Sequence, residues 1–555
     1  MVPAAADGVT LPEMEAKSFA MDPTEASRIA ELDRTHWLHP QGDLDAPAGT
    51  APALSFSRGR SSTLFDLEGR PYLDGMAGLW NVNVGYGRGE LADAAAEQMR
   101  ELPFSSAYGA FGHAPGSLLA AKLAELAPGD LSVTYFASGG GEANDTAFKI
   151  ARLYWNLRGR PEKVNVVARM RGYHGLTYGA TSATGLPMFW DRVGPLAPGF
   201  LHAPAPHPYR YEGEGSAGEG YALELERIIL EAGPETVAAV VAEPVQGAGG
   251  AIVPPPDYFP RVREICDRHD VLLIADEVIT GFGRTGRWFG MEHYGVVPDL
   301  MVFAKGVTSG YLPLSGVMMT HDVHDTLREL HGVFPHGFTY SGHATACAVA
   351  LRNLRIIEEE GLVDRARAMG EVLRPALEGL RRHELVGDVR SLGLIGGVLT
   401  SKRVHDALEQ APPDKKFMHA ATYSGHPTCC AVALANLDII EREGLVDRAG
   451  PMGQRLLAGL ESLRDLPVVG DVRGFGMMCG VELVTEKKSK APALGLGARV
   501  VQEARSRGLL PRIRVGSTDP AIGDTICLAP PLMTPPETLD KIVVILREAI
   551  TAAAR

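Results

Sequence analysis

The chain has 555 residues, of which 45% are hydrophobic and 22% are charged, an ordinary globular composition. Its formal net charge of -13 argues against a surface for nucleic acid or anionic membranes, because neutralising phosphates requires clustered lysine and arginine. No window approaches the roughly 20 apolar residues of a membrane helix, and the N-terminus has no basic region followed by an apolar core. We therefore expect a cytoplasmic protein without a nucleic-acid or membrane partner.

The order of the predicted elements indicates an α/β fold. After a Pro-, Ala- and Gly-rich start with one helical stretch, TEASRIAELDRTHW, short apolar strands alternate with amphipathic helices. The strand-like runs include VTYFAS, VNVVARM, VAAVVAEPV, VLLIADEVI, LMVFAK and LSGVMMT. Such continuous apolar strands between helices are typical of a parallel sheet covered on both faces. The last third, with more helix and the strands GMMCGVEL and TICLAPPL, indicates a smaller α+β domain.

The cysteines do not suggest a metal site. Six are scattered through the chain, and none belongs to a CxxC pair with metal-ligand spacing. We therefore expect no bound metal, and no disulfide in a cytoplasmic protein. Cys429 and Cys430 replace Ala346 and Cys347 of a closely similar segment, so we interpret them as small residues packed on a helix.

That similar segment is a long repeat. Residues 339–398 and 422–481 align without a gap at an offset of 83, and 38 of the 60 positions are identical. The similarity extends upstream, where GVMMTHDVHDTL resembles GVLTSKRVHDAL. Because solenoids need at least three stacked units, we interpret the repeat as one tandem duplication inside an otherwise normal chain.

The first motif with chemical meaning is VTYFASGGGEANDTAFKIAR. A strand ends at Ser138, glycines follow and a helix opens near Glu142. Free N–H groups at a helix N-terminus bind phosphate, and glycines let the phosphate approach closely. Taken alone, the motif is explained equally well by a plain strand-to-helix turn.

The second motif, VLLIADEVITGFGRTG, places Asp276 at the end of a strongly apolar strand. A carboxylate there would be costly without a cationic partner, so we expect a positive group to face it. A structural ion pair is the alternative. The stretch GFGRTG matches the dinucleotide pattern GxGxxG by letter, but RWFGMEHYG follows it instead of a helix, so that interpretation fails.

The third motif, LMVFAKGVTSGYLPLSG, places Lys305 at the end of another apolar strand. A partly desolvated lysine has a lowered pKa and can act as an amine nucleophile that forms Schiff bases. The fourth motif, MRGYHGLT, offers the flat ring of Tyr173, although an isolated tyrosine more often fills a core or a surface. A phosphate cradle, a buried acid, a strand-end lysine and a stacking ring together describe a pocket for pyridoxal phosphate.

At this point the chain resembles a known family, the class III (fold type I) pyridoxal-phosphate-dependent aminotransferases, and among them the amine:pyruvate and β-alanine:pyruvate ω-transaminases. The resemblance runs from about residue 30 to the C-terminus, apart from one copy of the repeat. It is carried by LDGMAGLWNVNVGYGR, RGYHG, AEPVQGAGG, IADEVITGFGRTG, FAKGVTSGYLPL, GFTYSGH and ICLAPPL. The family's fold implies a large domain with a mostly parallel sheet of the seven-stranded type and a smaller α+β domain.

The resemblance implies roles for residues around the cofactor ring. Lys305 would bind the cofactor covalently and then move the proton during transfer. Asp276 would keep the pyridine nitrogen protonated. Tyr173 would stack on one face of the ring and Val278 would cover the other.

The resemblance also implies how the phosphate is held. Gly140 and Gly141 would donate backbone N–H groups to it. Glu243 would be a partner near the ring of the cofactor, and the alternative is that Glu243 is a buried acid with a structural role. Relatives usually carry one or two serines in this loop, in an SGS or SGGS pattern, whereas this chain has Ser138 followed by three glycines. A hydroxyl contact with the phosphate is therefore expected to be lost.

Substrate binding follows from the same resemblance. Trp80 would form the aromatic wall of the substrate pocket. Arg512 would bind the carboxylate of the amino acceptor, because a planar guanidinium binds carboxylates bidentately and can swing out when an apolar amine occupies the pocket. Its neighbour Arg514 is a rival for this role, and a surface arginine is the alternative.

The repeat bears on the partner subunit. In this family the TYSGH loop comes from the neighbouring subunit, where the threonine reaches the cofactor phosphate, so the chain offers Thr339 and Thr422 for one site. Thr339 follows Lys305 by 34 residues and Thr422 follows it by 117. We therefore expect Thr339 to serve the site, with Thr422 as the alternative.

These observations predict a domain plan. It consists of an N-terminal segment that contributes to the small domain and the active-site entrance, a large cofactor domain, two copies of the repeat and a C-terminal small domain. Their expected boundaries are 1–60, 61–343, 344–398, 399–481 and 482–555.

The predicted function is that of an ω-aminotransferase with pyridoxal 5′-phosphate as cofactor, assembled as a homodimer or a tetramer. It would move an amino group from a primary amine or a β/ω-amino acid to pyruvate or a similar keto acid by a ping-pong scheme. Two alternatives stay open at this point. The chain could be another class III enzyme, an aminomutase or a decarboxylating transaminase, or it could be a paralogue whose catalysis is impaired by the repeat.

Overall fold

The computed structural model describes residues 20–40, 55–109, 111–191, 193–401, 427–514 and 524–555. The chain forms two compact units, Met1–His426 and Pro427–Arg555. Within the described ranges, no helix is both long enough and apolar enough to cross a membrane.

The strands of the first unit form two sheets and a separate hairpin. They are β1 (Phe56–Arg60), β2 (Thr63–Asp66), β3 (Pro71–Leu73), β4 (Val133–Ala137), β5 (Asn165–Arg169), β6 (Phe200–Ala203), β7 (Val237–Ala242), β8 (Leu272–Asp276), β9 (Leu300–Phe303), β10 (Ser315–Met319), β11 (Val386–Leu392) and β12 (Ile395–Thr400). The first three strands form a small antiparallel sheet, and the last two form the hairpin.

The central sheet has seven strands in the order β4-β10-β9-β8-β7-β5-β6. From β9 to β6 all neighbours are parallel, and β10 is antiparallel to both β4 and β9. The predicted α/β fold with a mostly parallel seven-stranded sheet is thereby confirmed. Every residue of β7, β8, β9 and β10 is buried, because both faces of these apolar strands are covered.

The first unit also contains the helices that the structure describes before Pro427. They are α1 (Pro23–His36), α2 (Ala77–Trp80), α3 (Gly89–Glu101), α4 (Ala114–Leu126), α5 (Gly140–Leu157), α6 (Tyr178–Ala183), α7 (Ala217–Ala232), α8 (Tyr258–Arg268), α9 (His321–Arg328), α10 (Ala344–Glu359) and α11 (Leu362–Glu378). Successive residues of β7 serve opposite faces of the sheet. Val241 belongs to a cluster with residues of α5, and Val240 belongs to a cluster with residues of α7 and α8.

The parallel register brings three titratable side chains to one edge of the sheet. Asp276 is the last residue of β8 and pairs with Val302 of β9. Glu243 follows β7 directly, and Lys305 follows β9 after one intervening residue. This edge is the one where open α/β sheets bind ligands.

The second unit contains the remaining elements. They are β13 (Val469–Phe475), β14 (Met478–Glu486), β15 (Ala491–Pro492), β16 (Arg512–Arg514) and β17 (Thr525–Leu528), with α12 (Pro427–Arg442), α13 (Leu445–Glu461), α14 (Leu496–Ser506) and α15 (Pro536–Ala553). The strands pair antiparallel in the order β13-β14-β17-β16, and β15 pairs with β14. The unit therefore has the α+β composition expected of the last third of the chain, while the domain boundaries read from the sequence stay predictions.

The two copies of the repeat have the same local structure. Helices α10 and α11 and the hairpin β11–β12 of the first copy correspond to α12, α13 and the hairpin β13–β14 of the second. In each copy an arginine that precedes the hairpin donates to an aspartate of its first strand at 3.0 Å, Arg381 to Asp388 and Arg464 to Asp471. A single duplication as the origin of the repeat stays an interpretation of the sequence.

The surroundings of the first helix differ between the copies. In α10, Asn353 and Leu354 are fully buried, and the helix packs against α3 and α4. In α12, the equivalent Asn436 is exposed and Leu437 is 59% exposed. The first copy therefore occupies the core of the unit that contains Lys305.

Candidate active site

A cavity of about 520 Å³ lies at the carboxyl ends of β4, β8 and β9. Its walls include most of the residues that the sequence analysis singled out for the cofactor. Those residues are Gly140, Gly141, Tyr173, Asp276, Val278 and Lys305. Residues that are up to 165 positions apart in the chain thus line one space, because the sheet aligns the strand ends.

Lys305 is the buried amine of this cavity. The residue is only 5% exposed. Burial lowers the pKa of its amine from 10.5 to about 8, and the negative charges of Asp276 and Glu243 oppose this shift because they favour the protonated form. Its backbone is left-handed, with φ 50°, a conformation that lysine rarely adopts. The amide of Asn353 supports this turn by donating to the carbonyl oxygens of Gly306 and Val307.

Asp276 is 2% exposed and accepts three hydrogen bonds. Its Oδ2 accepts from Asn144 Nδ2 at 2.8 Å and from His174 Nδ1 at 2.7 Å. Its Oδ1 accepts from the backbone N–H of Val278 at 3.1 Å. Hydrogen bonds of this kind stabilise a carboxylate, so the buried acid is held in one orientation at the cavity wall. The positive side chain expected near it is Lys305, whose protonated form Asp276 favours.

Glu243 is a second buried acid behind the same wall. Its Oε1 accepts from the backbone N–H of Tyr173 at 3.0 Å, and its Oε2 accepts from that of Gly247 at 3.2 Å. Burial raises its pKa to about 7, an effect that the charge of Asp276 strengthens and His174 opposes. Glu243 thus fixes the turn that carries Tyr173.

The glycine turn joins β4 to α5. Gly139 precedes the helix, and Gly140 and Gly141 begin it, so the N–H groups of the first turn lack intrahelical acceptors. A Cβ at Gly140 would lie 3.3 Å from Val278 Cγ1, and one at Gly141 would lie 3.1 Å from Thr177 Oγ1. Glycine is therefore the residue that keeps the backbone of this turn open to an anion in the cavity.

Two aromatic residues border the space around Lys305. Tyr173 lines the cavity, and the centroid of its ring lies 5.9 Å from that of the Phe189 ring in an edge-to-face arrangement. Trp80 is close to the amine as well, because the centroid of its indole ring lies 5.8 Å from Lys305 Nζ. A flat ring and an indole near the amine provide walls for a planar or apolar molecule.

The remaining predicted residues lie elsewhere. Thr339 is exposed in the turn before α10, and Thr422 lies outside the described residues. Arg512 begins β16 in the second unit, where it pairs with Cys527, and Arg514 ends that strand. Their expected contacts with a phosphate and with a substrate carboxylate stay predictions.

Two residues at the site were not singled out from the sequence. Asn144 and His174 both donate to Asp276, and His174 Nε2 is buried without a hydrogen-bond partner among the described residues. A signal existed for each. Asn144 follows the glycine run by one helical turn in GGEAND, and His174 is adjacent to Tyr173.

Comparisons with known proteins identify the family. The family model described as aminotransferase class-III matches residues 46–413 and 403–550. A putrescine–pyruvate aminotransferase of Pseudomonas aeruginosa is 36% identical over 530 residues, which cover 94% of this chain and 96% of that protein.

Solved structures agree as well. An (S)-enantioselective ω-transaminase from Thermomicrobium roseum is 38% identical with a TM-score of 0.59, covering 96% of this chain and 99% of that one. An ω-transaminase of Pseudomonas jessenii solved in complex with PMP is 33% identical with a TM-score of 0.59, covering 95% and 97%. The fold and the site define an aminotransferase, and the chain belongs to the class III aminotransferase family.

Proposed function

We propose that this aminotransferase is an ω-transaminase that uses pyridoxal phosphate. It takes an amino group from a primary amine or a β/ω-amino acid and passes it to pyruvate or a similar keto acid. The observation that carries the proposal is the placement of Lys305 and Asp276 at neighbouring strand ends, on one cavity that also contains a glycine turn. The pyruvate acceptor of the Pseudomonas aeruginosa relative supports the choice of keto acid.

The cavity residues fit pyridoxal phosphate. The open glycine turn at Gly140 and Gly141 suits the phosphate, and a Cβ at either position would narrow it. Lys305 suits the aldehyde, because its lowered pKa leaves part of the amine neutral near pH 7. The carboxylate of Asp276 suits a protonated ring nitrogen, and the ring of Tyr173 suits an aromatic face.

When bound, pyridoxal phosphate supplies a carbonyl that takes up the amino group and a pyridinium ring that withdraws electrons from the neighbouring carbon. Lys305 has two roles in the proposal. Its Nζ would hold the cofactor at rest, and after release the same atom would take up a proton from the substrate carbon and give it back. A pKa of about 8 suits both directions, since the amine both accepts and donates protons near that pH.

Asp276 would keep the ring nitrogen of the bound cofactor protonated. Two donors keep its Oδ2 occupied, the Asn144 amide and the His174 ring, so the acid cannot rotate away. Because Nδ1 of His174 donates, the neutral ring has its unprotonated nitrogen at Nε2. Asn144 and His174 therefore act through Asp276 as positioning residues.

The substrate side of the proposal rests on chemistry. Trp80 provides an apolar wall near Lys305 Nζ, which suits the carbon skeleton of an amine. A keto acid also carries a carboxylate, which calls for a guanidinium, and Arg512 with Arg514 as its rival is proposed for that contact. We further propose a cytoplasmic homodimer in which Thr339 of one subunit contacts the cofactor phosphate of the other.

The test is an amine-donor screen on purified protein loaded with pyridoxal phosphate. Putrescine, β-alanine and an apolar primary amine are each offered with pyruvate, and alanine formation is measured. We expect alanine from at least one donor and none from the Lys305→Ala variant. Carbon dioxide release or an isomerised amino acid without alanine would instead identify a different class III reaction.

A further inference from the structure

A second cavity lies beyond the carboxyl ends of β5 and β6, at the edge of the central sheet away from β9. Its volume is about 700 Å³. The charged and titratable residues of its wall are Arg171, His202, His207, Arg210 and Arg227. The rest of the wall is apolar or aromatic, and none of the described residues that line it is an aspartate or glutamate, although the chain as a whole has a net charge of -13.

Two of the three arginines are not neutralised. Arg227 is held by Glu224 at 3.1 Å and by Glu231. In contrast, neither Arg171 nor Arg210 forms an ion pair with any residue that the structure describes. The like charges of these arginines repel each other, so an anion bound in the cavity would stabilise its wall.

His207 is the buried polar group of this wall. The residue is 3% exposed, and its Nε2 accepts a hydrogen bond from Arg390 Nη1 at 2.9 Å. An imidazole that accepts at Nε2 carries its proton on Nδ1, and this Nδ1 has no hydrogen-bond partner among the described residues. Burial lowers the pKa of His207, and the charges of Arg390, Arg171 and Arg210 lower it further, against the opposing effect of Asp388.

The repeat provides an internal comparison for Arg390. The equivalent residue of the second copy, Arg473, donates to Asp471 at 3.0 Å and to Glu482 at 2.8 Å. In the first copy the position of Glu482 is occupied by Leu399, and the nearest carboxylate oxygen to Arg390 is that of Asp388, 3.3 Å from its Nε.

Asp388 also accepts from Arg381 at 3.0 Å, so one carboxylate serves two guanidinium groups. The first copy therefore has one negative charge fewer than the second at the place where its hairpin meets His207.

The backbone of Arg171 adds a separate observation. Its φ is 63°, a left-handed conformation that usually selects glycine or asparagine. A residue held this way costs conformational energy and is more frequent at functional sites than elsewhere. Arg171 is also an exposed residue, so its guanidinium is accessible to an anion in the cavity.

We propose that this cavity binds a small oxyanion with at least two negative charges, of the phosphate or dicarboxylate type. The guanidinium groups of Arg171 and Arg210 supply donors in the fork geometry that suits carboxylate and phosphate oxygens. Arg390, which donates to His207, adds positive potential from below the wall. This site is separate from the cavity at Lys305 and is not needed for the proposed transfer reaction.

The test measures binding of inorganic phosphate and of malonate to the cofactor-loaded protein by calorimetry, at constant ionic strength set with chloride. Loaded protein is used so that the glycine turn at Gly140 is already occupied. We expect saturable binding of at least one of the two anions. Phosphate alone would point to a phosphorylated ligand, and malonate alone would point to a dicarboxylate.

Variants locate the binding. Arg210→Gln should weaken it at least about tenfold, because one charge-assisted contact is lost, while Arg227→Gln is the matched control and should change it less than about twofold. A second readout is the titration of His207 by NMR, whose pKa should rise when the anion is added. No binding of either anion, an unchanged affinity in Arg210→Gln, or an equal loss in Arg227→Gln would each overturn the proposal.

Discussion

Asn353 donates from its side-chain amide to the backbone carbonyl of Gly306 at 2.9 Å, directly after Lys305 in the chain. A helix of the repeat thereby holds the turn that carries the buried amine, which keeps a left-handed backbone at φ 50°. The same amide also donates to the carbonyl of Val307. Asn436, the equivalent residue of the second copy, is exposed. The two copies are therefore unequal in what they contribute to Lys305.

Replacing Asn353 by alanine should reveal this inequality. Two buried carbonyl groups would lose their donor, and one such loss costs about 1–3 kcal/mol. We expect lower stability in urea unfolding and weaker binding of pyridoxal phosphate. Asn436→Ala is the matched control and should change the unfolding free energy by less than about 0.5 kcal/mol. Equal effects of the two substitutions would contradict the assignment of the first copy to the core.

Lys305 should be the residue that carries the cofactor, and a chemically similar lysine allows a stringent comparison. Lys163 is also fully buried, with its pKa lowered to about 8 by burial. Its Nζ is occupied, because it donates to the carbonyls of Pro234 and Val237 at 2.8 Å. After borohydride reduction of the loaded protein, peptide mass spectrometry should find the pyridoxyl label on Lys305 and not on Lys163. Label on Lys163, or full activity of Lys305→Ala, would disprove the site.

The pH dependence of cofactor capture follows from the pKa of Lys305. A pKa of about 8 leaves roughly a tenth of the amine neutral at pH 7, far more than an unperturbed lysine would have. The rate at which the apoprotein captures pyridoxal phosphate should therefore rise between pH 6 and 8 and level off above that. Stopped-flow absorbance measures it. A rate that keeps rising to pH 10 would show that the amine is not perturbed.

The same shift has a consequence for stability. The folded pKa lies below the unfolded value of 10.5, so the unfolded chain binds more protons between about pH 8 and 10.5, and stability rises with pH in that window. Below pH 8 the burial cost is fully present. Apoprotein with Lys305→Met should thus gain stability over the parent most clearly near pH 7, and the difference should shrink above pH 8.

Arg512→Ala should weaken the use of keto acids far more than the use of an apolar amine. A guanidinium matters only when a carboxylate is bound, and a charged hydrogen bond contributes about 1.5–3 kcal/mol. Single-turnover measurements of the two half-reactions separate the effects. If both half-reactions lose equally, Arg512 is structural and Arg514→Ala becomes the variant to examine.

Thr339 and Thr422 should contribute unequally to the binding of pyridoxal phosphate, as Asn353 and Asn436 should. Thr339→Ala should weaken the binding of pyridoxal phosphate by about tenfold to a hundredfold, the value of one hydrogen bond to a charged acceptor. Thr422→Ala should leave the affinity unchanged. Fluorescence titration of the apoprotein gives both numbers. The reverse order of effects would assign the phosphate contact to the second copy.

Sequence reasoning reached Asp276 and Lys305 because each follows an apolar run, a local pattern that survives in any parallel sheet. It did not reach Asn144, whose partner Asp276 is 132 residues away, nor Asn353, whose acceptors lie before the repeat. Hydrogen bonds of this kind form only when helices and strands pack together, so no spacing of residues in the sequence indicates them. Strand β6 was also missed, because FLHA is short and contains a histidine.

Because α10 and α12 are similar in sequence but unequally buried, the effect of burial on a helix can be measured within this one protein. Two helices that are identical at 11 of 16 positions share one polypeptide, one solvent and one temperature, yet Leu354 is buried while Leu437 is largely exposed. Most of their residues are shared, so a large difference in amide hydrogen exchange between the two reports chiefly the contribution of tertiary packing. In a single sample, exchange from α12 would follow local fraying, whereas exchange from α10 would require the opening of the unit around Lys305.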